Sequence, residues 1–96
     1  MNRELLSIDE NKCKVYLLGY ELELTKGEYS LLWALYDAQD YMNSDMICEK
    51  AFKNKNLSAH SITVHVSNIN MKASVISGRT LIESRHLVGY KIVDKI

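Results

Sequence analysis

An α+β fold, with an N-terminal antiparallel sheet, three helices and a C-terminal hairpin, is what three features of the sequence predict. Apolar and polar residues alternate over the first 24 positions. From Lys26 to Ile76 the apolar residues recur instead at steps of three and four, and after SerGlyArg at 77–79 the alternation returns. Ninety-six residues, 47% of them hydrophobic, suit one compact domain over 1–96, because a chain of this size buries roughly 60–65% of its unfolded surface.

The strands come first. LLSID, KVYLL and YELEL are separated by Glu10, Asn11 and Lys12 and by Gly19, which predicts a meander with one apolar face. Thr25 followed by Glu28 has the spacing of a capping box, and Tyr29, Leu32, Leu35 and Tyr36 then mark a helix from Lys26 to about Gln39 that covers the meander. DYMN at 40–43 interrupts the pattern. Ser44 is placed to cap a short helix from Asp45 to about Phe52, with Asp45 favourable at its positive end.

KNKN at 53–56 is a polar, basic loop. Ser58 or Ser61 can cap the third helix, on which Ile62, Val66, Ile69, Ala73 and Ile76 form the buried stripe. TLIES and VGYKIV then read as the two strands of a hairpin. Two helices joined by a short connection, a longer helix and a hairpin describe a winged helix-turn-helix.

Several classes are excluded on composition. The longest apolar runs fall far short of the ~18–20 residues that cross a bilayer, and the N-terminus lacks a signal-peptide apolar region, so the chain reads as cytoplasmic. Cys13 and Cys48 have no CxxC or Cys/His ligand spacing; they read as buried free thiols, with no metal and no cofactor expected. Glu21 and Glu23 alternate on the outer face of a strand with no His, Ser or Cys placed to work with them, which speaks against an enzyme.

The net charge of zero divides unevenly. Residues 1–48 hold four Lys and Arg against nine Asp and Glu, a balance of −5, and residues 49–96 hold eight against three, a balance of +5. Such asymmetry points to a side that faces a polyanion, nucleic acid above all; chance scatter of surface charge is the alternative.

LTKGEYSLLWAL at 24–35 resembles the LT-x-x-EF-x-LL-x-x-L first helix of the OmpR/PhoB-type winged-helix effector domains of bacterial two-component response regulators. VHV at 64–66 with Ile69 is similar to that family's VHI-x-x-L recognition helix, and IES followed by VGYKI at 82–92 to its wing ending in GxGY-x-L. The matches lie in order along nearly the whole chain. The resemblance implies a four-stranded N-terminal sheet, a third helix in the DNA major groove, dimeric binding to direct-repeat half-sites and a loop surface for RNA polymerase.

Two departures stand out. The Arg or Lys usual after the VHI element is replaced by Ser67, Asn68, Asn70 and Met71, leaving Lys72 as the helix's cation. In the wing, His86, Leu87 and Val88 stand where R-G-x precedes Gly89 and Tyr90, with Arg85 just before. The 96 residues hold no acidic receiver pocket, which fits either an effector domain apart from its receiver or a free-standing regulator.

With the 62/66/69/73/76 stripe inside, His60, Ser61, Val64, His65, Asn68, Met71 and Lys72 are expected outside, with Ser67 at the margin. Asn68 suits an adenine edge, Val64 a thymine methyl, and Ser61 or His65 a phosphate or base; an ordinary solvated face is the alternative, and for His65 a packing role. Arg85 and His86 at the hairpin tip suit a minor groove. Tyr90 suits a phosphate, or packing of the wing on the third helix. Lys50, Lys53 and Lys55 suit backbone phosphates or, as the resemblance implies, RNA polymerase. The expected function is sequence-specific binding of double-stranded DNA in transcription regulation; the competing reading, motivated by the missing arginines, is a winged-helix module for protein contacts.

Overall fold

The structure, a computed structural model, describes residues 6–38, 40–52 and 58–93. Lys53, Lys55 and the C-terminal end of the expected first helix at Gln39 therefore lie outside the described residues. Strands β1 (Leu6–Asp9), β2 (Lys14–Leu17) and β3 (Tyr20–Leu22) form an antiparallel sheet in that order. Leu17 pairs with Tyr20 across a two-residue turn. Both turn residues, Leu18 and Gly19, have positive φ, the conformation whose twist suits a tight hairpin. Among the described residues this sheet has three strands, where the resemblance implies four.

Helix α1 (Lys26–Ala38) begins with the expected reciprocal cap: Glu28 N–H donates to Thr25 Oγ1 at 3.3 Å, and Thr25 N–H to Glu28 Oε1 at 3.1 Å. Its buried arc is wider than expected, taking in Leu31 and Ala34 as well as Leu32 and Leu35, because the helix is covered on more than one side. Helix α2 (Ser44–Phe52) starts one residue early. Its cap is Asn43, whose Oδ1 accepts from Met46 N–H at 2.9 Å, so Ser44 is the first helical residue and not the cap.

Helix α3 (Ala59–Ser77) is capped by Ser58, whose Oγ accepts from Ser61 N–H at 3.1 Å, and ends at Gly78 in the left-handed conformation. Ile62, Val66, Ile69 and Ala73 are buried as expected, with Ile76 packed at the core's edge. Strands β4 (Ile82–Arg85) and β5 (Gly89–Ile92) form the wing. The core gathers leucines from the sheet and α1, Ile47 from α2, the α3 stripe, and Leu81, Ile82 and Ile92 from the wing. Cys13 is exposed in the β1–β2 turn and Cys48 is half-buried, contrary to the expected burial. Cys13 is exposed because the turn, with φ of 52° at this residue, lies beyond the sheet's apolar face.

Candidate nucleic-acid interface

Helix α3 is held along both flanks. On one flank Asn70 is hydrogen-bonded to the start of the wing: its Oδ1 accepts from Leu81 and Ile82 N–H at 3.0 and 2.8 Å, and its Nδ2 donates to Ile82 O at 3.0 Å. Thr63 Oγ1 lies 3.1 Å from Tyr90 Oη on the same flank. The opposite flank faces α1 and α2. There Lys72 Nζ donates to Glu28 Oε1 at 2.6 Å, and the His65 ring stacks on Phe52 at 6.0 Å between centroids. Residue 27 beside it is glycine; a Cβ there would sit 3.2 Å from His65 Nε2, a contact relieved by a shift of a few tenths of an ångström.

Glu28 is only 2% exposed. Burial pushes its carboxyl upward, but the Lys72 hydrogen bond, the Thr25 N–H and the nearby charges of Lys72 and His65 outweigh this and hold it below the ordinary glutamate value. The capping-box carboxylate thus joins α1 to α3 as well.

Between these flanks the outward face presents His60, Thr63, Val64, Ser67, Met71, Ser74 and Val75. Ser61 and Asn68 stand half-buried at its margin. Of the expected readers, His60, Val64, Ser67 and Met71 are therefore brought together on one exposed surface. His65 and Lys72 are not: the face opposite the stripe is narrower than the sequence suggests, because α1 packs against α3 from the side. Thr63, Ser74 and Val75, missed in the sequence, complete the surface; their spacing from Val64 and Met71 on the helix was the available signal.

The wing is fastened to the body by a second route. Met42 N–H donates to Tyr90 O at 2.8 Å and Tyr90 N–H to Met42 O at 2.9 Å, an isolated antiparallel bridge. Only glycine permits this approach at the neighbouring position, where a Cβ on Gly89 would lie 2.3 Å from Met42 O. Tyr90 thus has its ring packed at the core's edge and its hydroxyl bonded to Thr63.

At the hairpin tip Leu87 is 93% accessible with φ of 63°, flanked by exposed His86 and Val88. Arg85 is not at the tip but closes β4 opposite Gly89. It lies beside the Tyr41 hydroxyl, which donates a short hydrogen bond to Glu83. That Glu83 carboxylate holds the Tyr41 phenol above its ordinary value, with Arg85 pulling the other way. Lys50 is also engaged, 2.7 Å from Asp37 Oδ2 and 5.8 Å above the Trp33 ring. No group of three His, Cys, Asp or Glu among the described residues could hold a metal ion, and none of the described helices is long and apolar enough to cross a membrane.

A helix gripped on two flanks, with its outer side open and a hairpin fastened beside it, defines a winged helix-turn-helix domain. The response regulator ArlR of Staphylococcus aureus is 30% identical over 89 residues, 91% of this chain and 41% of that protein, so the chain spans about two fifths of the curated relatives it matches. Among solved structures, the Klebsiella pneumoniae RstA DNA-binding domain in complex with the RstA box has a TM-score of 0.77 at 20% identity, covering 93% of this chain and 91% of that one. The DNA-binding domain of the response regulator AdeR, in complex with an intercistronic region, has a TM-score of 0.78 at 20% identity, covering 92% of each chain. No family model matches the chain. The resemblance to OmpR/PhoB-type effector domains of response regulators holds along the sequence and in the fold.

Proposed function

We propose that this chain is a single-domain effector module, residues 1–96, of a bacterial two-component response regulator, acting in the cytoplasm as a sequence-specific binder of double-stranded DNA. The observation that carries the reading is the open outer side of α3, a long helix face left uncovered among the described residues beside a fastened wing. Helix α3 enters the major groove with His60, Ser61, Val64, Ser67, Asn68 and Met71 toward the bases. His86 and Tyr90, with Arg85 released from Tyr41, meet the adjacent backbone or minor groove, while His65 and Lys72 set the pose of the helix from its flank. Lys53 and Lys55, with Lys50 only once released from Asp37, face phosphates or RNA polymerase, and two copies on direct-repeat half-sites supply most of the operational affinity. The role is binding, not catalysis.

The test is selection of bound duplexes from random DNA, followed by titration of the selected site across salt. An enriched direct repeat is expected. With Lys50 and Lys72 engaged by carboxylates, two to four phosphate contacts should remain, so log affinity should fall against log salt with a slope of about −2 to −4. A slope near zero on the best site would sink the mechanism.

A second reading, a module for protein contacts, is favoured by one observation: Val64, Met71 and Val75 are exposed on a face without Lys or Arg. Under it, Met71→Asp abolishes a protein interaction while Asn68→Ala leaves DNA retention unchanged.

A further inference from the structure

Val64, Met71 and Val75 are spaced seven and four residues apart, so at 1.5 Å per residue they form one line about 16 Å long on the outer side of α3. They are 42%, 61% and 84% exposed. None belongs to the core, so folding gives no account of why this line is apolar. Exposed His60, Ser67 and Ser74 border it, and neither Lys nor Arg stands on it.

The commonest contact that specifies guanine is a bidentate Arg or Lys to O6 and N7, and this face has no residue to make it. What distinguishes thymine in the major groove is its C5 methyl, which is met by apolar side chains. Asn68, at the margin of the line, has the paired donor and acceptor that match adenine N7 and N6. The width of the line also bears on its occupant. A helix that docks in a protein groove presents an apolar stripe of about 100° or more. Val64, Met71 and Val75 fall within roughly 40° of one another at 3.6 residues per turn, and serines and a histidine flank them. A narrow apolar line with polar margins suits the floor of a major groove, where methyls and hydrogen-bonding edges alternate.

We infer that α3 selects its operator through thymine methyl groups, reading an A·T-rich half-site, with Val64 and Met71 as the specificity-determining residues; this rests on the DNA-binding function proposed above. The face discriminates by burying methyls on Val64 and Met71, and guanine-rich sites are disfavoured because no Arg or Lys there makes the bidentate contact to O6 and N7.

The experiment takes the duplex selected from random DNA and resynthesises it with deoxyuridine for thymine throughout the half-site. Pairing and groove edges are kept, and only the methyls are removed. At the hydrophobic value of one buried methyl, each contacted thymine contributes about fourfold in affinity, and two contribute roughly fifteenfold. The natural chain should therefore bind the uracil duplex at least about tenfold more weakly. The double variant Val64→Ser, Met71→Gln, altered only at exposed positions, should keep a cooperative melt and bind the two duplexes alike. Equal affinity of the natural chain for thymine and uracil duplexes overturns methyl reading while leaving DNA binding in place. Failure to enrich any duplex overturns DNA binding and this inference with it.

Discussion

Lys72 and Glu28 are unequal partners: the carboxylate is buried, whereas the lysine side chain is 38% exposed. Removing the lysine leaves Glu28 with the Thr25 N–H as its remaining described donor. Breaking a buried pair costs several kcal/mol, and solvent at Lys72 reduces that, so Lys72→Ala should cost about 2 kcal/mol. A thermal melt should fall by roughly 10 °C for a domain of this size. Loss of DNA retention in that variant is then a measure of helix pose and not of a phosphate contact. Because the folded carboxyl sits below its ordinary value of 4.5, its contribution is fully present above that pH and is lost as pH falls through the lowered folded value. Acid titration of Glu28→Gln should show a shallower loss of stability below about pH 4.5 than the natural chain does. Leu87, exposed with positive φ, should accept Leu87→Asn with a gain of about 1 kcal/mol, read as a higher denaturant midpoint, because asparagine tolerates this conformation. The cap at Thr25 and Glu28 was readable from the sequence because it is local; its third partner, 44 residues away, has no spacing to betray it.

The wing owes its position to Asn70, Tyr90 and Gly89 more than to its own two strands. Asn70→Ala would leave the Leu81 and Ile82 N–H groups without their acceptor, at a cost of about 2 kcal/mol. Gly89→Ala would drive a Cβ into Met42 O and should cost about 3 kcal/mol. Hydrogen exchange at the Met42 and Tyr90 amides should accelerate in that variant, while the α1 amides stay protected. Alternation and a glycine made the hairpin readable, and four of the five expected stripe residues on α3 are buried, with Ile76 only partly so. The docking of one on the other was not readable. Asn70 looked like one more polar helix residue, and only the folded chain brings its amide to two free backbone donors.

Across the molecule, Ile69→Asp is the most direct check of how α3 is rotated. Ile69 is fully buried, so the variant should lose its cooperative melt altogether. The +5 balance of the second half does not collect on the outer side of α3. Lys50 and Lys72 are matched by carboxylates, and Lys91 lies 5.2 Å from the Tyr41 ring centroid. A sum over sequence counts charges without their partners, which explains why the readers expected at Lys72 and Lys50 are engaged elsewhere. The bridge between Met42 and Tyr90 joins distant parts of the chain. Its two residues are 48 positions apart, so it is a non-local contact, unlike the bonds within each helix. Tyr90, joined to Met42 through its backbone and to Thr63 through its hydroxyl, is therefore a three-way junction of the α1–α2 connection, the wing and α3.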